Sequence, residues 1–362
     1  MSAVNAVISR RAVKHNFQKI KSLAPESKVI SVLKANAYGH GLLEMASILT
    51  DSDIFGVARL EEAMALRDGD VDKQILLMEG FFNLEDIALL RIHNFQTVIH
   101  SFDQIEKLEQ SNDIETTSLS LKVWLKIDTG MNRLGIAPHE FDEALSRLKA
   151  IDYVGNDINF MTHFSCADDL ANDFTKQQML QFNQLVGEHS GELTLANSAG
   201  ILAWPESHCD WIRPGLLLYG CSPMNDRTGS QDGFVPAMTL STSVIAIKPL
   251  LKDENVGYGA HWKTSKNTQL GVIAIGYGDG YPRHAKAGTP VLINGKRYPI
   301  VGRVSMDMIT VDLGDNHEVN CGDKAIMWGS ELPVEEIAQW SDTICYELIL
   351  QLTSRVNITF VE

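Results

Sequence analysis

The sequence has few positive charges, with 31 lysine and arginine residues against 46 aspartate and glutamate residues and a formal net charge of -15 at pH 7. A surface of this sign repels the phosphates of nucleic acids and the headgroups of anionic lipids. The sequence also lacks an apolar run of membrane-spanning length, and its first 14 residues lack the apolar block of a secretion signal. We therefore expect a cytoplasmic protein that binds neither nucleic acid nor membrane and acts on a small molecule.

Cysteine is also scarce. The five cysteines are scattered without a close pair, and their odd number suits reduced thiols better than a disulfide framework. His163 and Cys166 are three residues apart, but one such pair falls short of the four ligands of a zinc site. We expect no metal centre.

The 362 residues are 44% hydrophobic, which suits two domains with sizeable cores. From residue 28 onward, short apolar runs alternate with amphipathic helical segments. The eight runs are residues 29–33, 54–58, 74–78, 97–100, 121–127, 158–163, 193–196 and 211–213. Such alternation is typical of parallel strands, and eight strand–helix units favour a closed (β/α)8 barrel, an α/β fold, over an open doubly wound sheet. We predict this barrel over residues 1–235.

The pattern changes after Cys221. Residues 222–233 are polar and contain glycine, and from Met238 onward β-branched runs are broken by turn residues. Asn294-Gly295 between two such runs predicts a tight hairpin. Two helical stretches, 334–340 and 346–352, interrupt the pattern. We predict a mostly β domain over residues 236–362, and we allow for pairing of the first few residues of the chain with it.

Polar residues follow several of the predicted barrel strands, at the end where barrel enzymes carry their chemistry. Lys34 follows the first run, Arg133 the fifth, His163 ends the sixth and Arg213 the eighth. A buried ammonium group escapes its desolvation penalty by a lowered pKa, which makes the amine a nucleophile. An arginine fork suits a carboxylate. From the residues alone, a lysine directed to solvent and a core histidine remain alternatives.

The loops after the seventh and eighth runs are suited to an anion. They contain Ser198 before a helix start and Gly215 after Arg213, and barrels often bind phosphate at these two loops. A glycine-rich string over residues 276–280 does not have the spacing of a dinucleotide fingerprint, and no βαβ unit follows it. The sequence therefore favours a phosphate group, and not NAD.

Five motifs, taken together and in this order, resemble those of the alanine racemase family over essentially the whole chain. They are Lys34 in Leu-Lys-Ala-Asn-Ala-Tyr-Gly-His-Gly, Arg133 in Asp-Thr-Gly-Met-Asn-Arg-Leu-Gly, Arg213 in Arg-Pro-Gly, Tyr258 in Gly-Tyr-Gly, and Ser-Met-Asp-Met at 305–308. Members of this family are pyridoxal 5'-phosphate enzymes with a barrel. The resemblance implies interconversion of L-alanine and D-alanine by two bases.

By this resemblance, Lys34 binds the aldehyde of pyridoxal phosphate and serves one face of the substrate Cα, while Tyr258 serves the other. Because a free tyrosine has a pKa of about 10, nearby cations such as His163 and Arg213 are expected to assist Tyr258 near neutral pH. Arg213 resembles the residue that faces the pyridine nitrogen. A guanidinium keeps its proton, so this nitrogen is expected to stay largely unprotonated.

The resemblance also implies a set of binding residues. The cofactor phosphate would be met by Tyr38, Ser198, Tyr346 and the backbone at Gly215 and Leu216.

The substrate carboxylate would be met by Arg133, with Met306 and Asp307 beside it. Lys126 matches a lysine that is carbamylated in many members and supports the arginine at the position of Arg133. In this family Tyr258, Met306 and Asp307 reach the barrel of a partner subunit. A head-to-tail homodimer with shared active sites is therefore expected.

Three alternatives stay open. The first is a racemase of another small amino acid such as serine, with the same catalytic pair. The second is a non-catalytic pyridoxal phosphate carrier, but such carriers lack a β domain. The third is a decarboxylase of the ornithine or diaminopimelate type, which the motifs around Lys34 and Tyr258 fit less well. The sequence is silent on whether the product D-alanine supplies peptidoglycan or is broken down.

Overall fold

The computed structural model describes residues 4–111, 120–155, 158–187 and 189–362. The chain begins with β1 (Asn5–Ser9) and α1 (Arg10–Leu23). Ser9 caps α1, since its Oγ accepts a hydrogen bond from the backbone N of Ala12 at 3.2 Å. The apolar residues Val13, Phe17 and Ile20 share one face of α1 and are buried.

Eight parallel strands then close into a barrel, in which β9 pairs with β2. They are β2 (Lys28–Val32), β3 (Ile54–Val57), β4 (Gln74–Leu77), β5 (Gln96–Ile99), β6 (Val123–Lys126), β7 (Asn159–Met161), β8 (Leu193–Thr194) and β9 (Trp211–Ile212). The predicted (β/α)8 barrel is confirmed, and each strand falls within or beside its predicted run.

Within the described residues, the longer helical segments between these strands are α2 (Lys34–Tyr38), whose residues 35–38 form a left-handed turn, α3 (Leu42–Ile48), α4 (Leu60–Asp68), α5 (Asp86–Ile92), α6 (Phe102–Gln110), α7 (Phe141–Lys149), α8 (Phe174–Val186) and α9 (Ser198–Ala203). Side chains of the strands alternate between the helices and the barrel interior. The interior is filled by Ile30, Ile54, Leu76, Val98, Trp124, Met161 and Trp211. This packed layer excludes a pore, so ligands have access to the barrel only at its ends.

The eighth unit differs from the prediction, because only a short 3-10 helix, Leu216–Tyr219, follows β9. Gly220 ends it in the left-handed conformation. Helix α1 packs against this segment. The side-chain amide of Asn16 donates to the carbonyls of Leu218 at 3.1 Å and Val235 at 2.8 Å. The helix that precedes the barrel therefore covers the place where the eighth helix is missing.

The rest of the chain is mostly β, as predicted. It contains β10 (Met238–Leu250), β11 (Asn255–Val256), β12 (Trp262–Lys263), β13 (Thr268–Ile273), β14 (Pro290–Ile293), β15 (Lys296–Pro299), β16 (Ile309–Gly314), β17 (Lys324–Trp328), α10 (Val334–Trp340), α11 (Cys345–Leu350) and β18 (Asn357–Val361). The main sheet has the order β15-β14-β17-β10-β1-β18, and β13 joins β10 to β16.

The first strand of the chain belongs to this second sheet, since β1 pairs antiparallel with β10 and parallel with β18. The prediction that the first residues pair with the β domain falls partly on residues 1–3, which lie outside the described residues. The predicted hairpin at Asn294-Gly295 is confirmed. Both residues have positive φ, as a tight turn between β14 and β15 requires.

None of the helices in the described residues combines the length and the apolar character that crossing a membrane requires.

Candidate active site

A cleft of about 350 Å³ opens at the C-terminal ends of the barrel strands. It is lined by Val32, Lys34, Tyr38, Met78, Glu79, Lys126, Arg133, Leu134, Met161, His163, Asn197, Ser198, Arg213, Gly215, Leu216 and Tyr346. Ten of the thirteen predicted site residues are among them. The other three, Tyr258, Met306 and Asp307, do not line this cleft.

Lys34 lies just after the end of β2 and lines the cleft. Desolvation lowers the pKa of its amine. Arg133 acts in the same direction, and the carboxylates of Glu79 and Glu62 act in the opposite one. A larger fraction of the neutral amine, which is the nucleophilic form, is therefore present than for a lysine in water.

The segment after Lys34 is a left-handed turn (residues 35–38), in which every φ lies between +52° and +54°. Non-glycine residues resist this conformation by roughly 1–2 kcal/mol each, so the surroundings must hold it. Glu62 Oε1 accepts from the backbone N of Ala35 at 2.6 Å, and the backbone N of Ala37 donates to the carbonyl of Leu33 at 2.7 Å. The turn reverses the chain so that Lys34 and Tyr38 both face the cleft.

The part of the cleft around Ser198 and Gly215 suits a phosphate group. Ser198 Oγ accepts from the backbone N of Gly215 at 3.0 Å. A Cβ on Gly215 would lie 2.6 Å from Tyr38 Oη, so only glycine allows the ring to approach this backbone. Burial raises the pKa of Tyr38 to about 12, and it raises the pKa of Tyr346 as well. Both phenols therefore keep the hydroxyl proton that a phosphate oxygen accepts.

Arg213 is fully buried at the wall of the cleft. Its Nη1 donates to Thr194 Oγ1 at 2.7 Å, and Nη2 donates to the carbonyl of Thr162 at 2.7 Å. Burial lowers the pKa of Arg213 to about 9, which leaves the guanidinium charged at neutral pH. Its Nε is buried and has no hydrogen-bond partner within the described residues. This orphaned donor is suited to a ring nitrogen that accepts a hydrogen bond.

His163 lies beside this arginine, with its Nδ1 3.3 Å from Arg213 Nη2. Because a guanidinium can only donate, Nδ1 must accept and the imidazole is neutral. Burial, followed by the charge of Arg213, lowers the pKa of His163 well below its usual value. The expectation that His163 supplies a positive charge for Tyr258 is therefore wrong.

Arg133 and Lys126 also line the cleft. Asp128 Oδ1 accepts from the backbone N of Gly130 at 2.9 Å and of Asn132 at 3.0 Å, which holds the loop that carries Arg133. Burial, together with the charges of Arg213 and Arg133, lowers the pKa of Lys126 to about 8. With Lys34 and Arg213, these residues place four cationic groups in one cleft, an arrangement that favours anionic ligands.

Among the described residues that line the cleft, Glu79 is the only carboxylate, and sequence analysis missed it. It pairs with Arg59, with 3.4 Å between Oε2 and Nη1. Its position directly after the predicted strand 74–78 was an available signal, since the same rule located Lys34 and His163.

Tyr258 and Met306 lie on the surface of the β domain, with exposed fractions of 73% and 53%. Asp307 is exposed too and pairs with Arg355 at 2.8 Å. The glycine-rich string explains how this surface is built. Gly278 N donates to the carbonyl of Met306 at 2.8 Å, and a Cβ on Gly276 would lie 2.4 Å from the same oxygen. Gly276 and Gly278 support this segment by close packing against its backbone.

Comparison with known proteins decides the family. The family model described as the N-terminal domain of alanine racemase matches residues 8–223, and the model of the C-terminal domain matches residues 237–360. The chain belongs to the alanine racemase family.

Among curated relatives, the alanine racemase of Aliivibrio salmonicida is 50% identical over 361 residues, with complete coverage of both chains. The alanine racemase of Shewanella amazonensis is 52% identical over 359 residues and 98% of each chain.

Among solved structures, the biosynthetic alanine racemase of Pseudomonas aeruginosa superposes with a TM-score of 0.96 at 39% identity over the whole of both chains. The alanine racemase of Bartonella henselae, described with covalently bound pyridoxal phosphate, has a TM-score of 0.90 at 25% identity and full coverage. The likeness includes both the barrel and the β domain. The β domain disfavours the single-barrel carrier, and membership of the alanine racemase family disfavours the decarboxylase.

Proposed function

We propose that this protein interconverts L-alanine and D-alanine with pyridoxal 5'-phosphate held in the barrel cleft. One observation carries the proposal. A lysine with a lowered pKa, a corner of hydroxyl groups beside the Gly215 backbone, and an arginine fork all line the same cleft. Membership of the alanine racemase family supports the choice of alanine as substrate.

The residues of the cleft fit this cofactor. Lys34 Nζ would bind its aldehyde, and Ser198, Tyr38, Tyr346 and the backbone at Gly215 and Leu216 would bind its phosphate. Arg213 Nε, the orphaned donor, would face the pyridine nitrogen, with His163 Nδ1 accepting from the same guanidinium. When bound, pyridoxal phosphate withdraws electrons from the substrate Cα and makes its proton acidic.

The protein must then serve both faces of Cα. We assign Lys34 Nζ to one face, where it takes or returns the proton, and Tyr258 Oη of a partner subunit to the other. Tyr258 is exposed in one chain, so it needs a second chain to be enclosed. A head-to-tail homodimer, in which each β domain completes the barrel cleft of its partner, satisfies this requirement.

Arg133 would bind the substrate carboxylate through its fork, with the backbone at Met306 and the side chain of Asp307 supplied by the partner. We also propose that Lys126 is carbamylated. With a pKa of about 8, part of its amine is neutral near pH 7.5 and can add carbon dioxide, which forms a carbamate and releases a proton. The resulting anion would offset the charge of Arg133 and hold its side chain.

Two further proposals concern the whole chain. The domain junction is placed between residues 235 and 236, which is supported by the start of β10 at Met238 and by a barrel that ends before it. A cytoplasmic location is supported by five cysteines that all remain free thiols.

Incubation of the purified protein with L-alanine, and separately with L-serine, tests the proposed reaction. Chiral chromatography should show the alanine sample approaching an equimolar mixture of L-alanine and D-alanine. Serine should be converted much more slowly. Loss of the activity on removal of pyridoxal phosphate, and recovery when it is returned, should accompany this result. Conversion of serine at a rate equal to or above that of alanine would contradict the choice of substrate.

A further inference from the structure

His40 lies behind the left-handed turn and is 1% exposed, yet it does not line the cleft. Its Nδ1 lies 2.9 Å from the carbonyl oxygen of Tyr38, the last residue of that turn. A carbonyl can only accept, so Nδ1 carries the ring proton. Burial lowers the pKa of His40 to about 4, which keeps the imidazole neutral. Nε2 is therefore an acceptor.

This acceptor and one donor are both left without partners. Within the described residues, neither His40 Nε2 nor Trp328 Nε1 has a hydrogen-bond partner, although both atoms are buried. Both residues line the same cavity of about 10 Å³ between the barrel and the β domain. A volume of this size holds about one water molecule, and a water can donate to an imidazole while it accepts from an indole.

We propose that one buried water joins His40 Nε2 to Trp328 Nε1, and that His40, anchored in this way, is a positioning residue for the turn that carries Lys34 and Tyr38. Its link to catalysis rests on the proposed function, in which these two residues bind the cofactor. The water itself does not depend on that function, because it follows from two orphaned atoms and a cavity.

Further contacts show how His40 acts on the turn. The imidazole packs on the ring of Tyr219, with centroids 4.4 Å apart, and Tyr219 packs on Tyr38 at 5.0 Å. His40 thus supports Tyr38 both at its carbonyl and, through Tyr219, at its ring. Trp328 ends β17, so the water would tie this assembly to the β domain. Loss of the tie should loosen Tyr38 without removing any group that touches the cofactor.

A double-mutant cycle on the holoenzyme tests the proposal. Trp328→Phe removes the indole N–H together with the five-membered ring that carries it, and His40→Asn keeps a donor near the position of Nδ1 while it removes Nε2. Each should raise the dissociation constant for pyridoxal phosphate about fivefold, as expected for the loss of one hydrogen bond. The double variant should show the same change of about fivefold, because both substitutions break one shared link. Additive effects would overturn the proposal.

Two variants complete the set. Trp340→Phe, at a partly exposed tryptophan of α10, should leave cofactor affinity unchanged. His40→Phe retains a ring against Tyr219 but removes both nitrogens, and it should raise the dissociation constant by at least about tenfold. An effect of His40→Phe no larger than that of His40→Asn would refute the role of the Tyr38 carbonyl bond.

Two measurements on the wild-type protein keep the test independent of folding and of cofactor. Nitrogen-15 NMR of the imidazole should show a neutral ring with its proton on Nδ1, and a high-resolution crystal structure should show one water between Nε2 and Trp328 Nε1. A proton on Nε2, or an empty cavity in good density, would overturn the proposal. A wild-type protein that shows this water but does not bind pyridoxal phosphate would instead overturn the proposed function.

Discussion

The cleft of the barrel and the exposed edge of the β domain carry parts of one proposed site in opposite environments. In the cleft, Arg213 is 2% exposed and Lys126 is 7% exposed, and the pKa of each is lowered by burial. At the edge, Tyr258 is 73% exposed. Neighbouring groups shift the pKa of a side chain strongly only where that side chain is shielded from water. One chain therefore encloses the residues that are proposed to bind the cofactor, whereas Tyr258, one of the two proposed bases, is left in solvent.

The largest expected effects come from the two bases. Lys34→Ala should abolish racemisation and covalent capture of pyridoxal phosphate, because the variant loses the amine to which both tasks are assigned. Tyr258→Phe should lower racemisation by about a thousandfold, yet retain cofactor, because a general base or acid contributes about 10²–10⁴. Exchange of the α-hydrogen with deuterated water should persist from one enantiomer only. Wild-type rates with both enantiomers would refute the assignment of Tyr258.

Mixing the Lys34→Ala and Tyr258→Phe proteins tests whether the two bases of one site come from different chains. After exchange of subunits, a Lys34→Ala and Tyr258→Phe heterodimer has one cleft with both bases intact. Random pairing should restore about a quarter of the wild-type activity per chain, because half of the dimers gain one of two sites. The separate proteins, mixed under conditions that prevent exchange, are the control. No recovery after proven exchange would place Tyr258 outside the partner's cleft.

Gly215→Ala should weaken cofactor binding through a change in the barrel cleft, without a change in the β domain. The added Cβ would lie 2.6 Å from Tyr38 Oη and displace the hydroxyl from the phosphate corner. We expect a dissociation constant for pyridoxal phosphate raised by at least about tenfold, equivalent to the loss of one good hydrogen bond. Gly155→Ala is a matched control, since nothing lies within 4 Å of the added atom. Equal affinity in both variants would argue against this corner.

Arg133→Lys should separate binding of substrate from binding of cofactor. Lysine keeps the charge but loses the planar fork, so KM for alanine should rise about tenfold while cofactor affinity stays unchanged. Steady-state kinetics and a cofactor titration measure the two effects. Arg297→Lys, at an exposed arginine paired with Glu336, provides the control. A matching loss of cofactor affinity would move Arg133 away from the substrate carboxylate.

The smallest effect concerns the pH dependence of stability. The folded pKa of Lys126 is about 8, below its ordinary value of 10.5, so above pH 8 the folded protein has lost a proton that the unfolded chain still holds. Stability relative to Lys126→Met should therefore rise with pH between about 8 and 10.5, by up to about 3 kcal/mol. Denaturant unfolding in carbon dioxide-free buffer measures this rise. Bicarbonate should reduce it if a carbamate forms. A flat difference would contradict the burial of a free amine.

The eight barrel strands could be located from the sequence because parallel strands buried on both faces are continuous apolar runs. Lys34, His163 and Arg213 could be placed at one end because every strand of a barrel points the same way. The left-handed turn at residues 35–38 could not be predicted. It contains no glycine, and Glu62 stabilises it from 27 residues away. The neutral state of His163 depends on burial beside Arg213, which no local pattern encodes.

The sequence by itself determined the fold class and the order of the motifs, since hydrophobic periodicity and chain direction act locally along the chain. Only the tertiary structure decided that Glu79 faces the cleft, that Arg213 keeps an unpartnered Nε, and that Tyr258 stands in solvent. The physical reason is that burial and hydrogen-bond partnership depend on residues distant in sequence. Protonation and reactivity follow from those two quantities more than from residue type.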